Sequence, residues 1–412
     1  MTQQMLPDIT ANVTTDEALD LTRRLAATPS QCGVDDEIGV ARILQETMET
    51  EGIEVELLEV SAGRPNVLAR IPGRGEAPSL MLNGHMDTTP LDVSWSAAHQ
   101  VHVDGDVVRG HGVRNMKGGV ASIVLTLLAW QRSGVRPPGD LLFTAVMGHH
   151  QGGVGTRALM QQIEWPQHTI IPEPTDLGIR TVQTGSLTLR IRVRGRTAPV
   201  GDTALFSRYA QRADQARNPL DALDVVERAL TSVPYQFVID ERVPDLPMTQ
   251  VRHVRAGYGE NMVPMAFAPD TMELNVGVFT TKGQRPERVR DEVTAHLRAV
   301  LAPFGFHTDI ELVGSFRDFL DVPLDAPVVE SLAQAHHDVV GTEATVGALL
   351  PHSYFGCDGQ ILAMEGLDAI SYGPGSHAYR YDSRGRVEIR HVVTCARALI
   401  LAPLRLAERT TV

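Results

Sequence analysis

The sequence predicts an α/β protein, a mixed sheet domain flanked by helices and interrupted by a smaller inserted α+β domain of ferredoxin-like type. Three observations predict it. Apolar runs at 79–82 and 140–147 alternate with segments of helical spacing, the pattern of a sheet covered by helices. After Glu173 the pattern changes to strict alternation, with Leu187, Leu189, Ile191 and Val193 on one face of a half-exposed antiparallel strand. From Pro327 onward helical spacing and a buried strand return. The predicted organisation is a first sheet-domain part at 1–185, an inserted lid domain at 186–314, and a second sheet-domain part at 315–412.

In chain order, Ala18, Leu19, Leu21 and Leu25 predict a helix from Thr15 to Ala27, capped by Thr15 or Asp16. A second helix is predicted from Asp35 to Glu51, and strands at 54–60 and 66–71. Helices follow at 118–130 and 155–162, on either side of the 140–147 strand. The insert is predicted to hold strands at 186–194 and 272–280 and helices at 218–232 and 286–301. The closing part carries helices from Pro327 to Val340, at 358–365 and at 390–408, with a strand at 368–372.

Composition narrows the function class. The chain has 412 residues, 43% hydrophobic and 21% charged, ordinary for a globular enzyme with ample core. Its net charge of −13 and the lack of a Lys/Arg-rich run speak against nucleic acid and anionic membrane as partners. Three scattered cysteines form neither a disulfide framework nor a CxxC site. The first residues lack a basic and apolar leader pattern, and no apolar run approaches the ~20 residues of a membrane span. A cytoplasmic protein is expected.

The stretch Asn83-Gly84-His85-Met86-Asp87-Thr88 is the organising feature. It places His85 and Asp87 at the carboxyl end of a buried strand, where open α/β sheets hold their chemistry. A neutral imidazole binds metal through one nitrogen while a carboxylate fixes its tautomer through the other. Four further stretches fall at comparable sheet ends. They are Gly110-His111-Gly112-Val113-Arg114-Asn115-Met116-Lys117-Gly118-Gly119, Gly148-His149-His150-Gln151-Gly152-Gly153, Ile171-Pro172-Glu173-Pro174-Thr175 and Tyr372-Gly373-Pro374-Gly375-Ser376-His377.

With those motifs the chain resembles, over nearly its whole length, the dinuclear-zinc aminoacylase/deacylase family of acetylornithine deacetylase and succinyl-diaminopimelate desuccinylase. The resemblance implies a zinc-peptidase-like sheet domain, an inserted lid that mediates homo-oligomer formation, and hydrolysis of a C–N bond in a small carboxylated molecule. It also implies site roles. His85 matches the first metal ligand, Asp87 its orienting carboxylate and Glu173 the other terminal ligand. The family's bridging aspartate is Asn115 here, and its adjacent catalytic and ligand glutamates are His149 and His150. The second metal's histidine corresponds to Tyr381, and the lid histidine falls near Pro199.

These departures carry a physical consequence. Two divalent cations a few ångströms apart repel unless an anion bridges them, and Asn115 brings no charge. One divalent metal per subunit is therefore expected, held by His85, Glu173 and His150, with His149 as catalytic base beside Asp87. Mn, Fe, Co and Zn all suit such mixed ligation, Mn being slightly favoured. Tyr381, Arg380 and His377 are expected to contact substrate, and Arg384 and Arg386 belong to the same basic cluster. His111 and His352 are expected to be supporting residues, and Cys357 beside Asp358 a small core residue.

The remodelled site resembles that of a divergent branch of the family, 5-nitroanthranilate aminohydrolase. This implies hydrolytic deamination of an electron-poor aromatic amine by metal-activated water, giving 5-nitrosalicylate and ammonia. The alternatives are a mononuclear N-acyl amino acid deacylase or dipeptidase, and a catalytically dead binding or scaffold relative.

Overall fold

The structure, a computed structural model, describes residues 6–91, 100–197, 217–259, 262, 267–376 and 385–410. The chain divides into two units, one of Met1–Gln183 with Leu320–Val412 and one of Thr184–Phe319. The boundary expected at 314/315 would cut a continuous strand, His307–Arg317.

The first unit is built on an eight-stranded mixed sheet. Its spatial order is Val55–Ser61, Arg64–Ile71, Leu141–Val146, Leu80–His85, His168–Ile171, Asp368–Ser371, Ile179–Arg180 and Val346–Gly347. The four strands from Leu141–Val146 to Asp368–Ser371 run parallel to one another. Parallel strands are buried on both faces and read as continuous apolar runs, and all six residues of Leu80–His85 are buried. Their carboxyl ends share one edge, which is where His85 and the turns carrying Met147–His150 and Pro172–Glu173 emerge.

Helices cover this sheet. The Thr15–Ala27 helix is capped by Thr14, one residue earlier than expected, whose Oγ1 accepts from the Glu17 amide at 3.3 Å and donates to its carboxylate. The Gly118–Ser133 helix is buried from Gly118 through Trp130. A helix apolar all round belongs in a core; here Ser122 and Thr126 hydroxyls donate to the Val392 and Ala396 carbonyls of the Ile389–Thr410 helix. A small three-stranded sheet, Arg386–Glu388, Val107–Arg109 and His102–Asp104, was not expected from the sequence. Its strands have only three residues each, too short for periodicity to register.

The second unit is a four-stranded antiparallel sheet in the order Met248–Gly257, Thr271–Thr280, Gly185–Arg194 and His307–Arg317. Helices Leu223–Thr231 and Pro286–Leu301 complete a β-α-β-β-α-β succession of ferredoxin-like type. Leu187, Leu189, Ile191 and Val193 pack with Val289, Val293 and Leu297 of the second helix. The two edge strands, Met248–Gly257 and His307–Arg317, are additions to the sequence reading. Edge strands bury little, and these two alternate weakly.

Candidate metal centre

The strand Leu80–His85 delivers His85 to the sheet edge, and Asp87 follows two residues later. The neighbouring strand Leu141–Val146 ends in a tight turn, His149–Gln151, bounded by Gly148, Gly152 and Gly153 at φ of 63°, 90° and 70°. Left-handed backbone at those positions is what glycine supplies without steric cost. The turn brings both of its histidines back onto Asp87.

Asp87 is the hub. One carboxylate oxygen, Oδ1, accepts from the His149 backbone N–H at 3.0 Å. The other accepts from the His150 N–H at 2.9 Å and lies 3.0 Å from His150 Nδ1. His85 Nδ1 donates to the Asp87 backbone carbonyl at 2.8 Å and stands 3.5 Å from its carboxylate. Asp87 therefore orients His85 through its main chain and reserves its carboxylate for the His149–His150 turn, unlike the role first expected.

The three rings form a compact group. His85 and His149 stack at a centroid distance of 4.3 Å and 8° between planes, and His150 stands edge-on at 5.0 and 4.9 Å from them. One ring nitrogen of each lies within 4.8 Å of those of the other two. Each Nδ1 also faces an acceptor: the Asp87 carbonyl, the Asp87 carboxylate and, for His149, Asp358 Oδ1 at 2.9 Å. Such partners hold the proton on Nδ1 and leave Nε2 as the basic nitrogen.

Electrostatics agree with a cation here. Burial, and then the neighbouring His149 imidazole, push His85 down to about 3, so its ring is neutral at ordinary pH. With its proton on Nδ1, Nε2 presents a lone pair, and Asn115 Oδ1 lies 2.9 Å from it. Two acceptors at that distance need a donor between them, an amide turned to face the ring, or a cation. Glu173 Oε1 stands 3.7 Å from the same nitrogen, is buried, and has no hydrogen-bond partner among the described residues. Burial pushes the Glu173 carboxyl up, against the lowering influence of His149, Arg180 and His150. Burial also raises the Asp87 carboxyl, but the His150 hydrogen bond and the surrounding imidazoles outweigh it and hold Asp87 well below the usual range. An imidazole lone pair, an orphaned carboxylate oxygen and an amide oxygen converge, and this donor set fits a divalent transition metal.

The approach of Glu173 depends on one glycine. A Cβ on Gly119 would sit 2.0 Å from the Pro172 carbonyl oxygen, so only glycine lets the Gly118–Ser133 helix start against the segment carrying Glu173. Two residues earlier, Lys117 is buried, its Nζ donating to the Thr28 carbonyl at 2.6 Å.

Of the residues the sequence singled out, the structure brings together His85, Asp87, Asn115, His149, His150 and Glu173. His377, Arg380, Tyr381, Arg384 and the position near Pro199 lie outside the described residues. His111 faces Thr88 Oγ1 and the Thr89 carbonyl at 3.2 and 2.9 Å, a supporting place beside Asp87. Cys357 is buried. Its neighbour Asp358, which the sequence reading gave no role in the site, holds His149 with Oδ1 and accepts from Thr156 with Oδ2 at 2.8 Å.

The sequence profile of peptidase family M20/M25/M40 matches residues 81–404. The chain is 23% identical over 369 residues to N-formyl-4-amino-5-aminomethyl-2-methylpyrimidine deformylase of Halalkalibacterium halodurans, covering 85% of each chain. It is 28% identical over 181 residues to the probable succinyl-diaminopimelate desuccinylase of Staphylococcus aureus, covering 42% of this chain and 45% of that one. In structure it is similar to the dipeptidase Dug1p of Saccharomyces cerevisiae, with a TM-score of 0.77 at 12% identity over 99% of both chains. Among the described residues no helix is long and apolar enough to cross a membrane. The chain belongs to peptidase family M20/M25/M40, a family of metal-dependent hydrolases.

Proposed function

We propose that the protein hydrolyses the aryl C–N bond of 5-nitroanthranilate, giving 5-nitrosalicylate and ammonia, with one divalent metal per subunit. The observation that carries this reading is the remodelled donor set: Asn115, His149 and His150, none of them a carboxylate, stand around His85 where two metals would need anionic ligands. His85, His150 and Glu173 would hold the ion, two imidazoles and one carboxylate, a set suited to Mn, Fe, Co or Zn. When bound, such an ion acts as a Lewis acid and lowers the pKa of water.

The protein's own groups manage the proton. Asp358 fixes His149 with its proton on Nδ1, so that Nε2 takes a proton from water and returns it to the departing amine. The ring carbon gains the oxygen of water and loses the amino group, which leaves as ammonia. The nitro group, para to that carbon, accepts the negative charge of the addition step, which lightens the demand for an oxyanion hole. The substrate carboxylate is assigned to the basic segment containing Arg380.

A second reading, hydrolysis of a small N-formyl or N-acyl amide, is supported by the deformylase relative, which aligns over 85% of both chains. One experiment separates them. Metal-stripped protein is supplied with Mn, Fe, Co or Zn and incubated with 5-nitroanthranilate or with an N-formyl aminopyrimidine, and products are separated by chromatography. The appearance of 5-nitrosalicylate supports the first reading. Formate release with no 5-nitrosalicylate under any of the four metals refutes it in favour of the second.

A further inference from the structure

We propose that Glu37 and Arg64 are positioning residues that clamp the His149–His150 turn, and that they set how tightly the centre holds its metal. The inference rests on the metal reading above and adds a layer of residues remote in sequence from the site.

Glu37 lies just before the Ile38–Glu49 helix, with only 1% of its surface exposed. A buried carboxylate is costly unless paired and hydrogen-bonded, and both conditions are met. Arg64 grips it with a two-pronged contact, Nε to Oε2 and Nη2 to Oε1, each at 2.7 Å. Each partner then reaches the turn. Glu37 Oε1 accepts from the Gly148 backbone N–H at 3.1 Å, and Arg64 Nη2 donates to Gln151 Oε1 at 2.7 Å. Gly148 and Gln151 flank His149 and His150 on either side. The adjoining Asn66 extends the brace, accepting from the Met147 N–H at 3.0 Å and donating to the Gly155 carbonyl at 2.9 Å.

The turn is thus held from within by Asp87 and from outside by the ion pair. Three glycines in left-handed conformation make this backbone intrinsically adaptable, so its geometry depends on external contacts. Planar, bidentate guanidinium–carboxylate pairing is directional, which suits a clamp better than a single lysine contact would. Loss of the pair is expected to leave the rings in place on average while broadening their relative placement, to which metal affinity is sensitive.

The test measures Mn²⁺ affinity of metal-stripped protein, counting free Mn²⁺ by its electron paramagnetic resonance signal, at a temperature where circular dichroism shows every variant folded. Expected are a roughly tenfold weakening for Glu37→Ala and a smaller one for Glu37→Gln, which keeps an acceptor for the Gly148 N–H. Gln151→Ala, an exposed position and safe for folding, is expected to weaken binding about threefold. Glu51→Ala is the control, since it breaks a comparable bidentate pair with Arg132 (3.2 and 2.7 Å) away from the turn. Wild-type affinity in Glu37→Gln and Gln151→Ala, or equal weakening by Glu51→Ala, would overturn the clamp. Failure of the wild type itself to bind Mn²⁺, Fe²⁺, Co²⁺ or Zn²⁺ would instead overturn the metal reading.

Discussion

Replacing Asp87 by asparagine tests the centre at its hub. The carboxylate accepts two backbone N–H groups and faces His150 Nδ1, all at 2.9–3.0 Å and in buried surroundings. Asparagine keeps the size but offers one acceptor oxygen, and its NH2 must confront at least one of those donors. A charge-assisted hydrogen bond contributes about 1.5–3 kcal/mol, and a buried donor left unsatisfied costs about 1–3 kcal/mol. The expected loss in unfolding free energy is therefore roughly 3–5 kcal/mol, a large share of a typical 5–15 kcal/mol. Because Asp87 is held below the usual carboxylate range, its contribution is present above the unfolded value of about 4 and fades as pH falls through the lower folded value. The stability gap between wild type and Asp87→Asn, measured by urea unfolding of the metal-free proteins, should be present at neutral pH and close in strong acid. Mn²⁺ affinity should drop about 10- to 100-fold. A variant within about 0.5 kcal/mol of wild type, with unchanged metal affinity, would refute the hub assignment.

Two further substitutions probe separate assumptions. His149→Ala should cut kcat about 10²- to 10⁴-fold while metal content by elemental analysis stays near wild type. Loss of the metal in that variant would show His149 to be a ligand and sink its role as base. Burial pushes Lys117 down to about 7, against about 10.4 for an unfolded lysine. Between those values the unfolded chain binds more protons, so wild-type stability should rise with pH, by up to about 1.4 kcal/mol per unit. Lys117→Met should be the more stable protein at pH 7 and show a flat profile from 7 to 9; a flat wild-type profile would contradict the buried charge.

Much of the architecture was legible because the burial pattern is one-dimensional information. The Leu80–His85 strand is apolar because it is covered on both faces, and the Gly185–Arg194 strand alternates because it is covered on one. The helices Pro286–Leu301 and Pro327–Val340 announce themselves by proline at the first turn and apolar spacing. Edge strands such as Met248–Gly257 escaped notice because their partner is a backbone, which leaves little mark on side-chain choice. The site divides the same way. His85, Asp87, His149 and His150 were readable from glycine-flanked motifs at strand ends. Asp358 was not, since its claim rests on a ring 209 residues away, and a single acid beside a cysteine looks like any other. The division of labour within Asp87, main chain to His85 and carboxylate to the turn, depends on rotamers that no motif encodes.

That separation of 209 residues has a bearing on when the centre comes into being. His149 is steadied by a residue that leaves the ribosome long after the sheet's first strands, with the whole Thr184–Phe319 unit synthesised in between. Closing such a span carries a loop entropy that only the completed sheet repays, through the pairing of Asp368–Ser371 with His168–Ile171. The contact between His149 and Asp358 thus forms only once both sequence segments of the first unit have come together.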